Sequence, residues 1–230
     1  STRFLESNAI EDSNISLHAE QSVRTIVTTE GTRLNLPRTA IRLGIWARTT
    51  AEDGMDINVF ESIDVTDPSE LPDPEGLNEA IDGVLTRVES LSAAPVVEPT
   101  AAPAILRGRA AAVFFHEVLG HRIEGHRQKD DDEGQTFTDK VGEPILPPFI
   151  SVLDDPTAKT LNGVVLNGHY SHDDEGVKAE NTVIVDRGIL KGFLTSRSPI
   201  KSTPQSNGHG RRQVGHSVVA RQGNLMIQAH

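Results

Sequence analysis

His116-Glu117-Val118-Leu119-Gly120-His121 sets a condition on any fold this chain adopts. The string follows the apolar run Ala110-Ala111-Ala112-Val113-Phe114-Phe115, which reads as a largely buried helix. Two imidazoles and a carboxylate are costly to bury there without partners. A divalent metal would satisfy them, and two His with an adjacent Glu as proton acceptor is an arrangement of hydrolytic zinc sites. The spacing, however, is five. On a regular helix, residues four apart lie about 40° apart around the axis, and residues five apart about 140°. His116 and His121 can share an ion only if the helix gains a residue or ends between them. Gly120 stands where that deformation is cheapest. The spacing therefore predicts a widened turn or a break between residues 116 and 121, in a helix expected over about 107–127.

Glu117, beside the first His, is the candidate catalytic base: it can take a proton from an attacking water and return it to a leaving amine. Such chemistry needs three protein ligands and an open position. His126 is a candidate for the third ligand or for a supporting position. His169, His172, Asp173, Asp174, Glu175 and His209 are further candidates, each with an alternative reading as a surface or loop residue. Glu124 can orient a ligand imidazole or belong to a solvated face. Arg211 and Arg212 can bind a substrate carboxylate or be two bases on a turn. The acidic stretches Asp130-Asp131-Asp132-Glu133 and Asp173-Asp174-Glu175 are open to cation binding or to solvated loops.

Composition narrows the classes. The net charge is −11, and no basic run exceeds Arg211-Arg212, so a nucleic-acid partner is disfavoured. There is no Cys, which excludes disulfides and thiol catalysis. No apolar stretch approaches the roughly 20 residues of a membrane span, and no signal peptide is visible, so no membrane partner and a cytoplasmic location are expected. Hydrophobic residues make up 36% and aromatics 4% of 230 residues, a lean core that suggests packing against more protein. A start at Ser1 and an end at His230 without a closing element fit part of a longer or processed chain.

Strands are expected over residues 22–29, 33–36, 39–49 and 56–63 as an antiparallel meander, with a turn at Glu30-Gly31. Pro68, Pro72 and Pro74 mark a linker, and Leu77, Ile81, Leu85 and Val88 repeat at helical spacing over 77–91. Residues 93–104 read as extended, and 129–148 as a long loop over the site. Further strands are expected over 149–153, 182–185 and 189–194, the last two joined by Asp186-Arg187-Gly188, with a loop over 198–215 and short strands at 218–219 and 225–227. The fold class is α+β. A β-rich segment, residues 1–70, precedes a helix-plus-sheet segment, residues 71–230, that carries the motif helix; the boundary falls near residues 66–76.

His116 to His121, continued by Arg122-Ile123-Glu124-Gly125, resembles the TldD/PmbA family of metallopeptidases. Asp173-Asp174-Glu175-Gly176, the stretch Asn181 to Leu194, and Ser206-Asn207-Gly208-His209-Gly210-Arg211-Arg212 resemble that family's later blocks in order and spacing. The resemblance implies a two-domain α/β architecture and a peptidase acting on small or unfolded polypeptides. It implies zinc held by His116 and His121, with Glu117 as base, in a truncated C-terminal domain preceded by the later part of an N-terminal one. It also implies dimers, of two copies or of an active subunit with a related one that lacks the motif; this chain resembles the active type. The family's third zinc ligand is a Cys in a later region, which this chain does not contain. The alternative is a non-catalytic peptide-binding or assembly subunit with an incomplete metal site.

Overall fold

Odd-numbered residues from Ile41 to Thr49 are buried in a long central strand, the period-two signature of a sheet with one covered face. The computed structural model describes residues 2–129 and 135–230, so the acidic stretch Asp130 to Glu133 lies outside the described residues. The chain forms two compact units, Ser1–Val23 with Pro37–Pro103, and Arg24–Leu36 with Ala104–His230.

A short helix α1 (Thr2–Leu5) precedes strands β1 (Asp12–Val27), β2 (Arg33–Thr50) and β3 (Asp56–Val65), in the order β1-β2-β3. The meander is present, but β2 is one strand where two were expected. Its ladder with β3 begins at Ile41, so Pro37 lies outside that ladder and its missing donor is tolerated. Helix α2 (Pro74–Ser92) starts at Asp73, whose carboxylate accepts from the Gly76 N–H at 2.8 Å. It buries Ile81, Val84 and Val88 against Phe4, Ile45, Ala47 and Val59. This packing corrects the expected boundary. α2 belongs to the first unit, and the division falls at Pro103 and Ala104 rather than near residues 66–76, because the helix covers the sheet that precedes it.

In the second unit, helix α3 (Gly108–Val118) is followed by 3₁₀ turns Gly120–Ile123 and Gly125–Gln128. The remaining strands are β4 (Ile150–Asp154), β5 (Thr160–Leu161), β6 (Val164–Val165), β7 (Thr182–Asp186), β8 (Ile189–Leu190), β9 (Gly210–Arg211), β10 (Val219–Ala220) and β11 (Leu225–Ala229). An antiparallel sheet runs β11-β4-β7-β8; β5 pairs with β6, and β9, inside the stretch 198–215 expected as loop, pairs with β10. The turn between β7 and β8 places Arg187 at φ 45° and Gly188 at φ 83°, the two left-handed residues that a tight hairpin requires. The second strand of that hairpin stops at Leu190, short of the expected Leu194, and the chain turns toward the motif instead.

Leu119, Ile123, Val152, Ile184, Val185, Leu190, Phe193, Leu194 and Ile200 form the core of this unit. Two main-chain bonds staple the motif turn to it: Leu194 N–H to Ile123 C=O at 2.9 Å and Gly125 N–H to Leu194 C=O at 2.8 Å. A Cβ on Gly125 would meet the Leu194 carbonyl oxygen at 2.5 Å, so only glycine permits this approach. Leu194→Ala is expected to cost about 2–5 kcal/mol. Urea denaturation reads this as a lowered midpoint; an unchanged midpoint would mean that Leu194 does not hold this core. Among the described residues, no helix is long and apolar enough to cross a membrane.

Candidate metal centre

α3 ends at Val118, and the chain tightens into a 3₁₀ turn from Gly120, so the break that the five-residue spacing requires is present. The imidazoles of His116 and His121 come to a centroid separation of 4.5 Å with their planes at 72°. Both Nε2 atoms face Glu117, at 3.8 Å from Oε1 for His116 and 3.7 Å from Oε2 for His121. One ligand atom from each of His116, Glu117 and His121 lies within 4.8 Å of the others.

The burial argument for a metal does not hold. α3 buries none of its residues; Val113 and Phe114 are exposed, and the His116 and Glu117 side chains are 42% and 61% accessible. Helical periodicity showed that the run coils, not that anything covers it. The case for a cation rests on convergence and donor chemistry instead. Two nitrogens on one tetrahedral zinc stand about 3.3 Å apart, given bonds of roughly 2.0–2.1 Å. The ligand atoms already lie within 4.8 Å of one another, and two imidazoles with a carboxylate are a donor set that zinc accepts. The residues fit the ion.

Glu124 is completely buried, not on a solvated face. Its Oε2 stands 3.3 Å from His121 Nδ1 and accepts from Arg127 Nε at 3.1 Å. Its Oε1 pairs with Arg221 Nε at 3.0 Å and lies 3.5 Å from Gln222 Nε2. Arg221 and Gln222 carried no sequence signal: they sit between two short strands, nearly a hundred residues from the carboxylate that they meet.

The other candidates do not join His116 and His121. His126 Nδ1 is buried without a hydrogen-bond partner among the described residues, and burial pulls this imidazole below its usual range against the opposing charge of Glu124. His209, fully buried, places Nε2 3.2 Å from Asp154 Oδ1 and Nδ1 2.9 Å from Asn207 Oδ1. His169 Nδ1 lies 2.9 Å from the Pro156 carbonyl oxygen, and His172 Nδ1 3.3 Å from Ser171 Oγ. Asp173 accepts from the N–H groups of Glu175, Val177 and Gly210, each at 2.9 Å. Asp174 takes the Arg24 guanidinium and the Arg212 N–H, and Glu175 accepts from the Arg197 N–H at 2.6 Å. The side chains of this acidic stretch are engaged by main-chain N–H groups and by Arg24.

Arg211 lies 4.2 Å over the Tyr170 ring, with its Nε 3.8 Å from Asp174. Burial lowers the Arg211 guanidinium pKa and raises that of the Tyr170 phenol. The Arg212 residue is exposed. Among the described residues, no hydrogen bond or ion pair links either arginine to the His–Glu–His group.

Residues 99–230 match the PmbA/TldA metallopeptidase C-terminal domain. A metalloprotease of Methanocaldococcus jannaschii is 35% identical over 125 residues, 54% of this chain and 26% of that protein; the chain thus spans about a quarter of the relative's length. The fold is shared with TldE from Thermococcus kodakarensis, at TM-score 0.64 and 21% identity over 91% of this chain and 45% of that one. It is also shared with a Thermotoga maritima protein described as a candidate modulator of a DNA gyrase, at TM-score 0.70 and 17% identity over 99% and 49% of the two chains. With the domain match covering more than half of its residues, and the motif histidines inside it, this chain belongs to the TldD/PmbA metallopeptidase family.

Proposed function

We propose that this chain carries the metal-binding and proton-transfer residues of a zinc-dependent peptidase acting on small or unfolded polypeptides. The observation that carries the reading is the convergence of His116, Glu117 and His121 at a helix end that stops where their spacing demands. His116 and His121 would hold the ion through Nε2. When bound, zinc supplies a Lewis acid that polarises a scissile carbonyl and makes an attacking water more acidic. Glu117 is the group placed to accept that water's proton and pass it to the leaving amine. Its exposure leaves room for a substrate chain. The outer edge of β11 is unpaired among the described residues and offers main-chain hydrogen bonds to an extended peptide, which favours unfolded substrates over folded ones.

The test is hydrolysis of an unstructured peptide by the metal-loaded chain, with and without a chelator. Activity that disappears on chelation and returns with zinc is expected. A rate indifferent to chelator, and equal in His116→Ala, would overturn the reading. A second reading, a non-catalytic peptide-binding or assembly subunit, is favoured by one fact: among the described residues, no ligand beyond Glu117 joins the two histidines. Zinc-dependent peptide binding without turnover would support it.

A further inference from the structure

Glu124 is fully buried beside the motif, and two of its partners, Arg221 and Gln222, come from the far end of the unit. We infer that Arg221 is a positioning residue of the metal centre, acting through Glu124 to fix the orientation and tautomer of His121. The inference deepens the zinc reading above and rests on it.

A carboxylate without solvent access must be satisfied on both oxygens. Oε2 is occupied by Arg127 and His121, and Oε1 by Arg221 with the Gln222 amide beyond it. An ionised carboxylate only accepts, so His121 meets it with an Nδ1–H. That leaves the Nε2 lone pair on the side of Glu117, 3.7 Å away, which is the tautomer that metal ligation through Nε2 requires.

Arg127 belongs to the 3₁₀ turn after the motif, three residues beyond Glu124, and shifts with it. Arg221 does not. Its N–H donates to the His209 carbonyl at 3.0 Å. The N–H groups of Gly223 and Asn224, two and three residues on, donate to Asp154 Oδ1 at 3.0 and 3.1 Å. His209 and Asp154 are themselves wholly buried and paired. The segment is thus fixed to the core on both sides of Arg221, and through that side chain a rigid frame reaches the motif turn. Gln222 completes the strap: its amide lies against Gly120, where a Cβ would overlap it. Glycine at that position therefore serves the helix break and the closure of the strap together. Removing Arg221 takes away the 3.0 Å partner of Oε1 and leaves the Gln222 amide at 3.5 Å beside it, so the side of the carboxylate opposite Arg127 is held less firmly against His121.

The experiment compares wild type, Arg221→Met and Arg221→Lys by three readouts: zinc affinity in competition with a chromogenic chelator, the visible spectrum of the cobalt-substituted protein, and the melting temperature of the metal-free form. Arg221→Met is expected to weaken zinc binding by about 10–100-fold, the range for lost outer-shell partners of a metal-bound His, and to alter the cobalt spectrum. Arg221→Lys is expected to recover part of the affinity, because it restores the charge without the planar fork. A merely structural arginine would lower the metal-free melting temperature and leave the cobalt spectrum of the folded protein unchanged; that result overturns the inference. If Arg221→Met does not fold, Arg221→Lys carries the test: a shifted cobalt spectrum supports the positioning role, and a wild-type spectrum with wild-type affinity overturns it. Wild-type protein that takes up no zinc would overturn the zinc reading itself. Tight wild-type binding with an unaffected variant overturns only the role of Arg221.

Discussion

Glu117→Gln is expected, on the proposed zinc-peptidase reading, to lower peptide hydrolysis by about 10²–10⁴-fold, the usual worth of a positioned general base, with zinc binding retained. The substitution keeps the shape of the side chain and removes its capacity to take a proton. At 61% accessibility, Glu117 supports no core, so the fold is expected to be unaffected. The measurement is kcat/KM on an unstructured peptide beside the zinc content of the same sample. Glu117 oxygens stand 3.7 and 3.8 Å from the two Nε2 atoms, close enough that the carboxylate could itself complete the ligand set. The two roles separate cleanly. A base gives lost turnover with metal retained, whereas a ligand gives lost turnover with metal lost. The second outcome would remove Glu117 from the proton-transfer step.

Asp154→Ala is expected to destabilise the second unit by about 3–5 kcal/mol, the range for breaking a buried polar pair from one side. Asp154 closes β4 and gathers the N–H groups of Gly223 and Asn224 and the imidazole of His209. Alanine leaves all of them without that acceptor, and a buried donor so orphaned, such as the Asn224 N–H, costs about 1–3 kcal/mol. Asp154→Asn keeps one acceptor oxygen and is expected to lose less. Urea denaturation of the three proteins measures the difference. A loss below about 1 kcal/mol for alanine, no more than an ordinary hydrogen bond, would show that water replaces the carboxylate and that this frame is not rigid.

The two largest departures from the sequence reading concern burial and partners, not backbone. Helix α3 forms where the apolar run predicted, yet its face stays exposed, because a run of Ala, Val and Phe records a preference for cover and not its presence. Asp173 and Asp174 read either as cation ligands or as residues of a solvated loop, yet turn inward to N–H groups and an arginine from the β1–β2 hairpin. Arg211, a candidate for substrate binding, lies on Tyr170.

What the residues alone determined was local. The period-two stretches gave β2 and β3, Asp186-Arg187-Gly188 gave a turn, and the five-residue interval between His116 and His121 demanded a broken helix. Each follows from torsional preferences and helical angle, which act over a few neighbouring positions. Only the tertiary structure decided that α2 joins the first sheet, that Glu124 is sealed, and that Arg221 and Gln222 reach it across 97 and 98 positions of chain. Burial and ion pairing depend on which distant segments the core brings together, and no interval in the sequence records that distance.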